Sequence, residues 1–271
     1  MTVEGPLYGR RVIVTQAEGA ASPLAERLRA MGAEPLAFPM IRIEPPDDWQ
    51  PVDQALDGIR DYAWVVFTSR NGVDGLLGRM AARGLAPRDL LGGDRPRLAA
   101  VGEQTAARLS RSGLTVGLVP QEYSGRGVLA AMLPLLRPGE RVLLARGDLA
   151  SDLLPRGLRQ AGALVDEVTV YCNRPERSGG DALRRLLQLG SVDAVTFTSA
   201  STVNNFVDLL GDDMLDLLAY VTVACIGRPT EAAALARRLP VDVVPEAATA
   251  AALAEALARR LGPANERRSH S

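Results

Sequence analysis

The feature that most constrains this chain is that it carries one pattern twice. Arg11-Val12 matches Arg141-Val142, Gly32-Ala33 matches Gly162-Ala163, and Val66-Phe67-Thr68-Ser69 parallels Thr196-Phe197-Thr198-Ser199, each at an offset of 130 residues. Further on, Gly102 matches Gly227, Thr105 matches Thr230 and Val119-Pro120 matches Val244-Pro245, at an offset of 125. The second copy has therefore lost five residues in a loop. A period this long is too great for a solenoid and indicates duplicated domains. One copy starts near residue 10 and the other near residue 140.

Within each copy, short β-branched runs alternate with Ala/Leu/Arg stretches at helical spacing. Strands are expected at 11–15, 35–43, 63–68, 97–101, 115–119, 141–145, 163–171, 193–198, 221–226 and 241–244. Helical patterns follow Ser22, Ser124 and Thr249, residue types that cap helix N-termini, and Gly32, Gly113 and Gly162 stand where helices should stop. Strand–helix alternation argues for parallel sheets covered on both faces. The fold class expected is α/β: two similar parallel-sheet, flavodoxin-like domains. Residues 39–46 and 169–176 break at Pro45 and Pro175, which marks them as strand ends or connectors.

Chemistry is expected where strands run into helices. The strand ending at Thr68-Ser69-Arg70 and the one ending at Thr198-Ser199-Ala200-Ser201 place hydroxyls and free backbone N–H groups at helix N-termini, an arrangement suited to anions. Such sites lie at the carboxyl ends of parallel strands, where α/β sheets bind ligands. Gly102 with Thr105, and Gly227 with Thr230, form a second matched pair, and Ser124 belongs to a third. Up to six capped helix starts could converge on a ligand with several carboxylates or phosphates. Arg70, Arg146 and Arg228 fall at strand ends, and a guanidinium binds a carboxylate bidentately. Tyr171 stands out by asymmetry, since its counterpart in the first copy is Ile41. A phenol can donate to a leaving hydroxyl. Cys172 and Cys225 read as buried thiols.

Composition narrows the chemistry. All 31 basic residues are arginine, and the single histidine is His270, next to the last residue. Schiff-base chemistry and a phosphate-loop lysine are thereby excluded, and a serine–histidine triad or histidine metal site would have to use a tail residue. No metal and no cofactor is expected. The net charge of −1 gives no basic excess for nucleic acid. No stretch approaches the roughly 18 apolar residues of a membrane span, and Met1-Thr2-Val3-Glu4-Gly5 does not open a secretory signal. Two cysteines without a spacing motif fit a reducing cytoplasm.

These motifs together resemble the uroporphyrinogen-III synthase family over residues 8–262. The resemblance rests on Val65-Val66-Phe67-Thr68-Ser69 with Asn71-Gly72-Val73, Ala100-Val101-Gly102 with Thr105-Ala106, and Pro120 with Tyr123-Ser124. It extends through Glu167-Val168-Thr169-Val170-Tyr171, Phe197-Thr198-Ser199, and Ile226-Gly227 with Thr230. It implies two domains joined by a two-stranded linker: residues 1–39 with 173–264, and 40–172, with 265–271 a disordered tail. It also implies a cytoplasmic, monomeric hydro-lyase that cyclises hydroxymethylbilane, a linear tetrapyrrole with eight carboxylates, to uroporphyrinogen III with loss of water and inversion of ring D. By the same resemblance Tyr171 hydrogen-bonds near the departing hydroxyl or a ring side chain. Thr68, Ser69, Arg70, Gly102, Thr105, Ser124, Arg146, Ser199, Ser201, Gly227, Arg228 and Thr230 would hold the substrate. Transient contact with hydroxymethylbilane synthase is a further expectation. The alternative is a non-catalytic two-domain protein that binds an anionic small molecule; a glycosyltransferase fits less well, because no nucleotide-diphosphate signature is visible.

Overall fold

The computed structural model describes residues 5–17, 22–91 and 95–262; the expected tail at 265–271 lies outside them. Nine strands are present among the described residues: β1 (Arg11–Val14), β2 (Glu34–Ala37), β3 (Ile41–Glu44), β4 (Tyr62–Phe67), β5 (Arg97–Ala100), β6 (Arg141–Gly147), β7 (Leu164–Pro175), β8 (Ala194–Phe197) and β9 (Thr222–Cys225). The helices in chain order are α1 (Pro23–Ala30), α2 (Gln50–Asp57), α3 (Arg70–Ala82), α4 (Glu103–Arg111), α5 (Gly125–Met132), α6 (Leu153–Gln160), α7 (Gly180–Gln188), α8 (Ala200–Leu210), α9 (Met214–Leu217), α10 (Arg228–Ala236) and α11 (Ala250–Leu261). The hydroxyls of Ser22, Ser124 and Thr249 each accept the backbone N–H three residues on, as N-caps should. Gly32, Gly113 and Gly162 follow helix ends at positive φ, a region open to glycine.

Backbone contacts divide the chain into two compact units, residues 1–42 with 174–271, and residues 43–173. The first holds the sheet β2-β1-β8-β9, all parallel, extended by a single bridge between Ala224 and Val243. The second holds β3-β7-β6-β4-β5, in which β7, β6, β4 and β5 run parallel, extended by a bridge between Ala99 and Leu118. In each, a βαβ unit (β1-α1-β2 or β6-α6-β7) lies to one side and the remaining parallel strands (β8-β9 or β4-β5) to the other, the flavodoxin-like order. The α/β class and the parallel sheets are thus as expected. The repeat alone does not reveal how the copies are shared: each unit takes its βαβ start from one copy and its remaining strands from the other. The chain passes from one unit to the other after Arg42 in β3 and after Asn173 in β7.

Three expected strands need correction. The run 35–43 is two strands, β2 and β3, which lie in different sheets. Pro39 has no N–H to give a ladder, while Phe38 and Met40 donate to Val14 and Thr15 and so hold the turn. The runs 115–119 and 241–244 shrink to one bridge each. Gly117 and Leu118 both donate to the Leu98 carbonyl, and Asp242 and Val243 both donate to that of Val223, so neither ladder can propagate. The repeat is therefore faithful down to its irregularities.

The sheets are buried on both faces. Along β4, Val65 and Phe67 pack into one cluster with Val73, Leu76 and Val168, whereas Trp64 and Val66 pack into another with Val128 and Leu154. A run of six consecutive buried residues is what a central parallel strand requires. The sites at its carboxyl end are consequently built on a rigid element.

Candidate functional site

In the unit 43–173 the strand order reverses between β4 and β6, and the carboxyl ends of these two strands meet there. β4 leads into Thr68 and Ser69. Ser69 is extended (φ −161°) and caps α3, its Oγ accepting the N–H of Gly72 at 3.0 Å. Its hydroxyl also donates to the phenol oxygen of Tyr171, on β7, at 3.1 Å. Tyr171 thereby accepts from Ser69 and keeps its own O–H free to donate.

The phenol borders a cavity of about 670 Å³. Every helix start around it belongs to the same unit: Thr68 before α3, Val101 before α4, Ser124 at α5 and Leu153 at α6. Arg146 lines it too, but its buried guanidinium is bound by Glu167, donates to the Ala150 carbonyl and lies 3.7 Å from Asp152. Its charge is already balanced within the chain, so it secures the cavity wall. Ser124 accepts from Gly127 N–H and donates to Glu122 Oε1 at 2.6 Å, so both sides of its hydroxyl are in use. Arg126, in the first turn of α5, also lines the cavity and is exposed, with no ion-pair partner among the described residues. Gly102, the cap of α4, faces Tyr123: a Cβ there would lie 3.1 Å from the Tyr123 ring. The hydrogen bond from the Tyr123 phenol to Glu103 raises its pKa above the usual phenol range. Thr105 is buried in the first turn of α4, and Arg70 is the half-buried first residue of α3.

The matched positions in the other unit form a set of their own. Ser199 caps α8, accepting from Thr202 N–H at 3.3 Å, and its Oγ lies 3.0 Å from that of Ser201. Gly227 caps α10 through its backbone, and Thr230 is buried one turn on. Arg228 is 83% exposed and pairs with Glu231, three residues along its own helix. Cys172 and Cys225 are buried, and burial pushes the Cys225 thiol up to about 12, with the Glu231 charge adding to it. Among the described residues no group of three or more His, Cys, Asp or Glu side chains could hold a metal ion, and no helix is long and apolar enough to cross a membrane.

Residues 22–255 match the family model described as uroporphyrinogen-III synthase HemD. The chain belongs to the uroporphyrinogen-III synthase family. It is 34% identical over 234 residues to the uroporphyrinogen-III synthase of Synechococcus elongatus, covering 84% of this chain and 86% of that protein. The porphyrin biosynthesis protein HemD of Ruminiclostridium josui is 31% identical over 229 residues; the match covers 84% of this chain but only 44% of that protein's length. The uroporphyrinogen-III synthetase structure from Helicobacter pylori superposes with a TM-score of 0.64 at 19% identity, covering 93% of this chain and 99% of that one, which speaks for the fold.

Of the residues expected to hold substrate, Thr68, Ser124 and Arg146 line one cavity with Tyr171, the expected catalytic residue, and Ser69 is bonded to Tyr171. Sequence reasoning missed Tyr123 and Arg126 as cavity residues. The signal for Tyr123 was available, because its counterpart at the 125-residue offset is Ala248. Within this uroporphyrinogen-III synthase family scaffold, Tyr123 and Tyr171, two of the aromatic departures from the repeat, line the same cavity.

Proposed function

We propose that the chain is a uroporphyrinogen-III synthase that closes hydroxymethylbilane to uroporphyrinogen III. The observation that carries this reading is the Ser69–Tyr171 hydrogen bond, which leaves a phenol proton free at a cavity ringed by helix N-termini, in a chain of this family. The electron-rich pyrrole of the substrate pushes out its own hydroxyl, and Tyr171 donates a hydrogen bond to that departing oxygen. The C–O bond breaks, the pyrrole gives up its N–H proton, water leaves and an azafulvene remains. Ring D then attacks the azafulvene methylene through its substituted carbon to give a spiro intermediate. The bond from that carbon to the ring C bridge breaks, and the bridge re-forms to the unsubstituted α-carbon of ring D. Loss of the proton from that α-carbon restores the pyrrole. Orientation supplies most of the rate, and a chain without lysine and with one histidine can provide it. Arg126 and Thr68 are taken to hold carboxylates beside Tyr171, and Arg146 to brace the wall. The matched set Ser199, Ser201, Gly227, Arg228 and Thr230, together with Arg70, Gly102 and Thr105, is taken to meet the remaining carboxylates.

We also take the domains to be residues 1–39 with 173–264, and 40–172, and the working form to be a cytoplasmic monomer with transient contact to hydroxymethylbilane synthase. Purified protein given enzymatically generated hydroxymethylbilane should yield type III product over the spontaneous type I isomer, measured chromatographically after oxidation. Equal ratios with and without protein would sink the assignment.

A further inference from the structure

The hydroxyl of Tyr171 is useful only where Ser69 can reach it, and the pairing of β6 with β7 is irregular at that place. Arg141 to Arg146 pair with Leu164 to Thr169 one for one, and then Gly147 pairs with Tyr171, skipping Val170. Such a bulge breaks the alternation of side chains and re-aims the residues that follow. Val168 and Val170 point into the core cluster under α3, and Tyr171 packs against that same cluster, which an unbroken strand would not permit. The displaced segment is then pinned: Asp148 N–H donates to the Tyr171 carbonyl at 3.3 Å, and Asp148 Oδ1 accepts from the Asn173 N–H at 2.9 Å and from Asn173 Nδ2 at 3.0 Å.

Two glycines leave room for this arrangement. A Cβ on Gly147 would stand 2.5 Å from Tyr171 Cζ and 2.8 Å from its hydroxyl, so the ring lies directly against the β6 backbone. A Cβ on Gly75 of α3 would run into the Val170 carbonyl, the residue skipped by the bulge. α3 is the helix that Ser69 caps, so its distance from β7 sets the distance from Ser69 to Tyr171. Gly78, one turn further along α3, would meet nothing within 4 Å.

We propose that Gly147 and Gly75 are positioning residues which, with the register shift in β7, hold the Tyr171 phenol against Ser69. This rests on the reading of Tyr171 given above. Gly147 acts through the ring and Gly75 through the approach of α3.

The test compares Gly147→Ala, Gly75→Ala and Gly78→Ala in the intact protein, following kcat, KM, the type III to type I ratio and the thermal midpoint. Displacement of a reacting group by about 1 Å costs about 10²-fold in rate. Gly147→Ala and Gly75→Ala should each lower kcat by about that factor, raise the share of type I product and leave KM little changed. Gly78→Ala should keep the wild-type rate and ratio. In a Tyr171→Ala background, Gly147→Ala should have no further effect on rate or product ratio. If that background abolishes turnover, or Gly147→Ala fails to fold, the thermal midpoint carries the same comparison: Tyr171→Ala should restore the midpoint lost to Gly147→Ala. Wild-type kcat and ratio in Gly147→Ala would overturn the proposal, as would a Gly147→Ala defect that persists in full without the Tyr171 ring. Wild-type protein that gives no type III product would instead overturn the assigned reaction, while the midpoint comparison would still report on the ring and Gly147.

Discussion

At the scale of single residues, what matters is which polar groups the chain has already satisfied. Tyr171 has a proton to give because its oxygen is the acceptor in the bond from Ser69. Tyr171→Phe should therefore lower kcat by about 10²-fold, the lower range for loss of a positioned proton donor, with the circular dichroism spectrum and melting curve unchanged; an unaltered rate would remove the phenol from the reaction. Arg126→Ala should act differently. It removes an exposed cation without an ion-pair partner among the described residues, so KM should rise while kcat holds, and the loss should shrink in high salt. Saturation curves at two ionic strengths would show it. The sequence marked Tyr171 and Ser69, because an aromatic that breaks a repeat and a hydroxyl that recurs in it are both visible in one dimension. It did not mark Arg146 as spoken for. Its partner Glu167 lies 21 residues away, and their meeting depends on which strands become neighbours.

At the scale of elements, neighbouring strands are joined at both ends by different chemistry. Opposite the candidate site, Tyr62 at the start of β4 donates to Asp166 Oδ2 at 2.7 Å, and Arg141 at the start of β6 donates to the same oxygen at 2.7 Å. The Arg141 guanidinium also lies 4.5 Å from the Tyr62 ring centroid. Burial works to raise the Asp166 carboxyl, but the hydrogen bonds from Tyr62 and Arg141 outweigh it and hold it below the usual carboxylate range. A lowered folded-state pKa contributes stability that is present above the unfolded value, about 3.9, and is lost as pH falls through the folded one. Acid should therefore lower the wild-type melting temperature below about pH 4 more steeply than it lowers that of Asp166→Asn; parallel curves would show that this contact carries no pH dependence. Helix caps and stops were legible because Ser, Thr and Gly signal them locally. The split of 35–43 and the register shift at Val170 were not, since both depend on which sheet the chain has to join.

At the scale of the whole molecule, the repeat is plain in the sequence, yet neither copy is a unit by itself. Residues 43–173 are contiguous and hold a sheet covered on both faces, whereas residues 174–271 lack β1, the strand their own sheet is built around. Expressed alone, 43–173 should melt cooperatively, and 174–271 should show no cooperative transition until 1–42 is supplied. Far-UV circular dichroism on the two fragments would decide this, and a folded 174–271 would contradict it. Pairing of β1 with β8 also has a meaning in time. Val12 pairs with Ala194, 182 residues later in the chain. At about 5–20 residues per second, β1 waits roughly 10–35 s for β8, and residues 43–173 are all made before the sheet around β1 can be completed. During that interval β2 can already pair with one edge of β1 while the edge that β8 will take stays unpaired, so synthesis itself sets an order of assembly that refolding of the finished chain is free to ignore.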